Sequence, residues 1–146
     1  LTVEGAGLNL GANYCQTSVN STGLAAFMSA EGSLSIADNE ITLIARTVPS
    51  KVFGMFYYGP QQLEIPFGNG WRCVGPGDVG TFLLLPAERS SNQGVLDCPL
   101  DLANPPDVDG QILAGSTWYF QAWFRDPYSR GLLFDLSDGL ALTFLP

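Results

Sequence analysis

Glycine and proline divide this chain into short apolar segments, and this punctuation constrains its fold more than any other feature. The 146 residues include 17 Gly and 10 Pro, and no stretch shows convincing helical periodicity. Short apolar runs between regular turn signals are typical of β-sandwiches and barrels. The sequence therefore predicts an all-β fold, an antiparallel β-sandwich of the jelly-roll or Ig-like kind, with about nine or ten strands.

The densest aromatic segment, residues 116–127, predicts a central strand. Because side chains alternate across a strand, one of its faces is apolar throughout and is predicted to enter the core: Trp118, Phe120, Ala122 and Phe124. The opposite face is half polar and carries Tyr119, Gln121, Trp123 and Arg125. Trp123 is therefore predicted to lie near the surface.

Three further patterns predict local structure. Residues 33–48 indicate a β-hairpin, because two alternating runs flank the turn signal Asp38-Asn39. Residues 63–67 indicate an edge strand or a bulge, because Pro66 cannot donate to a central ladder. Leu140, Leu142 and Phe144 are predicted to share one face of the last strand.

The composition excludes several classes of function. Charged residues make up only 14% of the chain, the net charge is −8, and the six basic residues are scattered. Nucleic acid and anionic membranes are therefore not expected partners, because no basic stripe could neutralise phosphates. No apolar run reaches the roughly 20 residues of a membrane span. A surface so poor in charge is typical of an extracellular protein or of a subunit covered by its neighbours; the alternative is simply a sandwich with a neutral surface.

Histidine and cysteine content bounds the chemistry. The chain has no His, which removes Ser-His-Asp catalysis, Cys-His catalysis and the commonest metal ligand together. Its three cysteines, Cys15, Cys73 and Cys98, form no CxxC pair, so a zinc or redox site is not predicted. One disulfide and one remaining thiol are expected, with the pairing open at this point.

Acidic residues suggest two kinds of site, and we adopt neither. Asp126, Asp135 and Asp138 could meet as glycosidase carboxylates, but such residues are more often turn formers and caps. Asp107 and Asp109 match half of a calcium loop, yet the further ligands and closing Glu of an EF-hand are missing. We predict no enzyme, no catalytic residues and no cofactor, with Asp107 and Asp109 as weak Ca²⁺ candidates.

Aromatic side chains on a β-sandwich can bind sugars by stacking, although most pack in the core. The candidates are Tyr57, Tyr58, Trp71, Trp123 and Tyr128. After the core face of residues 116–127 is set aside, Trp123, Arg125 and Tyr128 are the predicted contacts with a partner or a glycan. Asn20-Ser21-Thr22 matches a glycosylation sequon, a pattern that often arises by chance.

Residues 1–10 are predicted to be an extended segment that precedes a single domain spanning residues 11–146. Apolar side chains alternate with polar or small ones at Leu1, Val3, Leu8 and Leu10. The sequence starts with Leu rather than Met, so we expect a mature or excised form. We predict that these residues form an assembly strand that adds to a sheet of this chain or of a neighbour.

Several motifs spread over residues 11–146 point to a family. They are NYC (13–15), NSTG (20–23), FYYGP (56–60), PFGNG (66–70), RCVG (72–75), GSTWYFQAWFRDP (115–127) and DLSDGL (135–140). Together they resemble an uncharacterised family of bacterial secreted β-rich domains, which are often C-terminal in large extracellular proteins. The resemblance implies secretion, an all-β fold and no known catalytic residues.

The same resemblance implies a disulfide. The cysteines of the NYC and RCVG motifs recur together in that family, which pairs Cys15 with Cys73; a Cys73–Cys98 bond is the alternative. Many members have a further Cys just before the C-terminal residue, where this chain has Leu145. Cys98 is thus left without an evident partner.

These observations favour a non-catalytic structural protein, located outside the cell or on its surface. We predict a cell-surface or filament subunit whose partners are copies of itself, joined through strand exchange by residues 1–10. The alternative is a carbohydrate-binding module of a secreted protein, which would require a surface row of aromatic side chains.

Overall fold

The structure, a computed structural model, describes residues 10–146 of the chain. Ten β-strands account for the regular structure, with one short 3₁₀ turn at Val108–Gly110. In chain order they are β1 (Ala12–Tyr14), β2 (Phe27–Gly32), β3 (Ile41–Arg46), β4 (Phe53–Gly59), β5 (Gln61–Phe67), β6 (Gly70–Gly75), β7 (Phe82–Arg89), β8 (Leu96–Leu100), β9 (Thr117–Arg125) and β10 (Phe134–Thr143). Within residues 10–146, no helix is long and apolar enough to cross a membrane.

Two sheets enclose the main core. The five-stranded sheet has the order β1-β10-β9-β4-β7, and the three-stranded sheet has the order β2-β3-β8. All strand pairs are antiparallel. Apolar side chains from both sheets form one buried cluster, which includes Met28, Leu43, Phe56, Phe120 and Leu142. The predicted all-β antiparallel sandwich is confirmed.

Strand β9 occupies the middle of the five-stranded sheet, as its aromatic content predicted. Its predicted core face is buried: Trp118 is 7% exposed, and Phe120, Ala122 and Phe124 are 0% exposed. The other face points away from the three-stranded sheet, because side chains alternate along a strand.

That second face is partly covered by a separate hairpin of β5 and β6. Strand β6 packs against β4, β9 and β10. The register of the hairpin shifts between Gln62 and Ile65, and β5 has only β6 as a neighbour in its sheet. Pro66 therefore lies in an edge strand that also contains an irregularity, as predicted.

Strand β10 changes face in its middle. Its register against β9 shifts between Leu136 and Gly139, where β10 contains one extra residue. Leu136 therefore lies on the outer side with Trp123, whereas Leu140 and Leu142 enter the core. Without the bulge, alternation would place Leu136 and Leu140 on the same face.

The predicted hairpin at residues 33–48 is wrong. Strand β3 pairs with β2, with Phe27 opposite Arg46 and Gly32 opposite Ile41. Residues 33–40 form the connection instead, and their alternating Leu34 and Ile36 pack against the core. The backbone around them bonds to Leu145, so this alternation reflects a contact with the distant end of the chain.

Candidate functional site

The three carboxylates considered for catalysis are all buried, and Asp138 shows their role most clearly. One of its oxygens accepts a hydrogen bond from the Met28 N–H at 2.7 Å, and the other accepts one from the Asn13 amide at 2.9 Å. The Asn13 amide also donates to the Met28 carbonyl at 2.7 Å. Asp138 therefore joins β10 to the middle of β1 and to the start of β2.

Asp135 and Asp126 hold the loop between β1 and β2 in the same way. Ser18 donates its hydroxyl to both oxygens of Asp135, at 2.9 and 3.0 Å. Ser21 donates its N–H at 2.8 Å and its hydroxyl at 2.5 Å to Asp126. Each carboxylate thus has a different part of residues 13–28 as its donor.

Burial governs the electrostatics of this group. Desolvation raises the pKa of Asp135, against the hydrogen bonds from Leu136 and Ser18, and the nearby Asp126 raises it further. Desolvation likewise raises the pKa of Asp138. The donors named above are neutral hydroxyl, amide and backbone groups. Their hydrogen bonds to the three carboxylates hold residues 13–28 against β10 and the end of β9.

Gln121 forms a second buried anchor, on the outer face of β9. Its amide donates to the carbonyls of Trp71 at 2.8 Å and Ser137 at 2.6 Å. Its oxygen accepts the Cys73 N–H at 2.9 Å and the Tyr57 hydroxyl. A fully buried side chain with all four bonds made fixes the β5–β6 hairpin on the sheet.

A disulfide joins Cys15, which follows β1, to Cys73 in β6, with Cα atoms 6.0 Å apart. The pairing implied by the family resemblance is confirmed, and the Cys73–Cys98 alternative is wrong. Cys98 is a free, partly exposed thiol on β8. The Tyr14 hydroxyl also donates to the Cys73 carbonyl at 2.6 Å, so bonds of two kinds join β1 to the hairpin.

Among residues 10–146, nothing closes the opposite lateral side of the sandwich. Strands β7 and β8 end their sheets there, and each has one described neighbour in its sheet. Two adjoining cavities of about 220 and 360 Å³ lie between them, and four residues line both: Leu84, Leu85, Cys98 and Pro99. We call this feature the lateral groove. Its floor consists of core residues: Phe56, Tyr58, Leu96, Leu100, Leu102 and Ile112.

A second depression, the outer groove, lies on the face of the five-stranded sheet that the hairpin leaves uncovered. It has a volume of about 320 Å³ and is lined by Met55, Tyr57, Phe67, Arg72, Thr81, Leu83, Trp123 and Leu136. Trp123 is partly exposed there and stacks on Phe134, with ring centroids 5.7 Å apart. Its predicted position near the surface is confirmed.

The other predicted contact residues lie elsewhere. Arg125 is exposed at the end of β9. Tyr128 is 72% exposed and borders a polar depression beside Asn69 and Ser21. The structure thus does not bring Trp123, Arg125 and Tyr128 together in one row.

Neither the calcium candidates nor the sequon forms a built site. Asp107 caps the 3₁₀ turn by accepting the Asp109 N–H at 2.9 Å, and both carboxylates are exposed. Among residues 10–146, no group of three or more His, Cys, Asp or Glu side chains could hold a metal ion. Asn20 is buried, and its amide donates to the Thr47 carbonyl at 2.8 Å, so a glycan could not be attached without displacing it.

Of the predicted assembly strand, only Leu10 lies within the described residues. Its N–H donates to the Ala30 carbonyl on β2 at 3.1 Å, and its side chain packs against the core of its own domain. Leu1, Val3 and Leu8 lie outside the described residues.

Sequence reasoning missed Gln121 as an anchor and the lateral groove as a feature. A Gln in the middle of an aromatic strand signals a buried polar group that needs partners. Pro86 in β7 and Pro99 in β8 signal edge strands, because proline removes a ladder donor.

Comparison with protein-family models, with curated proteins and with solved structures found no match to this chain.

Proposed function

We propose that this chain is a non-catalytic structural protein of the cell exterior, a subunit that assembles with copies of itself by strand addition. The observation that carries the proposal is the open lateral side of the sandwich. A strand added to the edge of β7 or of β8 would extend that sheet through backbone hydrogen bonds and cover apolar core residues.

The carboxylates support this proposal through their contacts. Asp126, Asp135 and Asp138 are all engaged by residues 13–28, in the manner of structural anchors. The disulfide suits an oxidising compartment such as the cell exterior. Strand addition from one subunit to the next is a head-to-tail contact, and such contacts generate filaments when they do not close into a ring.

Removal of residues 1–9 tests the proposal. The truncation must stop at residue 9, because Leu10 belongs to the core of its own domain. We expect the full chain to form concentration-dependent polymers, seen by sedimentation velocity and electron microscopy, and the truncated chain to stay monomeric. A matched variant that keeps the length, with Leu1, Val3 and Leu8 replaced by Ser, should also stay monomeric. Unchanged polymers in both variants would contradict the proposal.

The outer groove favours a second candidate function, carbohydrate binding. Trp123 offers a ring face for stacking, and Arg72 and Thr81 supply polar groups beside it. The Tyr57 hydroxyl already donates to Gln121, so the groove has few hydrogen-bonding groups for a sugar. A glycan array compares the wild-type chain with Trp123→Ala. Binding that the substitution abolishes supports this candidate, and a blank array counts against it.

A further inference from the structure

The lateral groove has the dimensions and chemistry of a strand-binding site. Strand β8, with five residues from Leu96 to Leu100, gives it a length of about 17 Å. Among residues 10–146 each flanking strand has one edge without a strand neighbour. Strands β7 and β8 also contact each other, so an extended segment in the groove would bond to the backbone edge of one of them and pack against the other.

The groove also reaches the core. Leu96 and Leu100 on β8 and Tyr58 on β4 belong to the central cluster and line the cavities. Leu85 on the rim is 68% exposed. An apolar side chain seated between them would be removed from water, which favours its binding.

The rim of the groove restricts the charge of an occupant. Glu88, Asp97 and Asp101 line it. None of these three carboxylates is in an ion pair, since the one ion pair among residues 10–146 joins Glu31 to Arg46 elsewhere in the molecule. A strongly acidic peptide would be repelled. Residues 1–9 contain a single carboxylate, Glu4, and the alternation of Leu1 and Val3 with polar residues gives a strand one apolar face.

We propose that residues 1–9 of a second copy of this chain occupy the lateral groove as an added strand, with Leu1 and Val3 directed at the core. This inference rests on the proposed assembly function and names the acceptor site. It concerns the same open side and adds the identity of the segment that fills it.

Reach favours a second copy over the chain's own segment. Leu10 is bonded to Ala30 on β2, on the lateral side opposite the groove. Strands β2 and β8 are the two edges of the three-stranded sheet, about 10 Å apart, and nine extended residues span at most about 30 Å. A chain filling its own groove would spend about three of these residues on crossing that sheet, whereas a neighbour can supply the whole segment.

Cys98 makes the test direct, because the groove already contains one free thiol. The donor chain carries Val3→Cys and Cys98→Ala, so that its added thiol is in the segment alone. The acceptor chain lacks residues 1–9 and retains Cys98, so its own segment cannot compete. After mixing and mild oxidation, non-reducing mass analysis identifies a mixed dimer, since the two chains differ in mass.

The control acceptor moves the thiol to an exposed leucine on a distant loop, with Leu24→Cys and Cys98→Ala. Leu24 is 63% exposed. Burial, and then Asp97 and Glu88, raise the pKa of the Cys98 thiol, which slows its oxidation and makes the comparison conservative. We expect at least roughly tenfold more mixed dimer with Cys98, because a seated segment raises the local thiol concentration towards millimolar.

Each other outcome overturns the inference in an identifiable way. Equal yields from the two acceptors, with polymers still formed by the full chain, would mean that assembly uses another surface. A full chain with Val3→Cys that forms a bond to its own Cys98 and stays monomeric would place the segment in its own groove. Absence of polymers from the full chain would remove the proposed function as well.

Discussion

The two lateral sides of this sandwich are finished in opposite ways. On the side of β1 and β2, buried carboxylates, an amide network and a disulfide join the strands to β10 and to the outer hairpin. On the side of β7 and β8, residues 10–146 leave a groove whose floor is the apolar core and whose rim carries Glu88, Asp97 and Asp101. One side is closed by polar groups with fixed partners, and the other is left open.

The difference separates the side that fixes the register of the strands from the side that is free to bind a further segment. A buried carboxylate tolerates only a segment that places donors at the right positions, so the closed side allows one register. An apolar groove accepts any extended segment of suitable shape and charge. Changes on the closed side should therefore affect folding, and changes on the open side should affect association.

Loss of the disulfide should have the largest effect on the closed side. Cys15 and Cys73 are 58 residues apart, and the chain-entropy relation for a loop of that length gives a loss of about 4 kcal/mol when both become Ala. Urea unfolding measures the change in the free energy of unfolding. Cys98→Ala is the matched control, with an expected change below about 1 kcal/mol, since that thiol is partly exposed. Similar losses of stability in both variants would mean that the disulfide does not stabilise the closed side more than an ordinary side chain does.

Removal of the Asp138 carboxylate should have the next largest effect. Asp138→Ala leaves the buried Met28 N–H without its acceptor and removes one acceptor of the Asn13 amide. We expect a loss of about 2 kcal/mol in the free energy of unfolding, and a smaller loss for Asp138→Asn, which keeps one acceptor. Asp109→Ala, at an exposed carboxylate, should change it by less than about 0.5 kcal/mol. Equal effects would mean that Asp138 is no anchor.

These anchors mark the limit of what the sequence predicts. Alternation in β9 is a local property, so the burial of Phe120 and Phe124 followed from it directly. The partners of Asp126 and Asp138 lie 105 and 110 residues away, and no local pattern encodes such a pair. The face reversal in β10 was equally hidden, because a bulge depends on the neighbouring strand.

The two grooves illustrate the same limit. Trp123 could be assigned to the half-polar face of β9, yet whether Arg125 and Tyr128 join it depends on the path of the chain after the strand. Residues 33–40 show the opposite error, since their alternation is real but serves a contact with Leu145. Local periodicity identifies faces, and only the fold identifies partners.

The pH dependence of the free energy of unfolding also tests the closed side. Burial raises the pKa values of Asp135 and Asp138 above the ordinary 3.8. A carboxyl that binds its proton more tightly in the folded chain lowers stability as the pH rises from its unfolded pKa to its folded pKa. The free energy of unfolding of the wild-type chain, measured against Asp135→Asn/Asp138→Asn, should therefore increase as the pH falls through that window. The opposite slope would mean that hydrogen bonds to the charged forms outweigh burial.

The smallest effect on stability is expected from a substitution on the rim of the open side, although this substitution should abolish association. Leu85 is 68% exposed on the groove rim, and Leu24 is 63% exposed on the loop beyond β1, so Lys at either position should change the free energy of unfolding by less than about 0.5 kcal/mol. Only Leu85→Lys places a charge where an added strand would have to bury it. Sedimentation velocity should then show monomers for Leu85→Lys and polymers for Leu24→Lys. Polymers in both would mean that the open side takes no part in assembly.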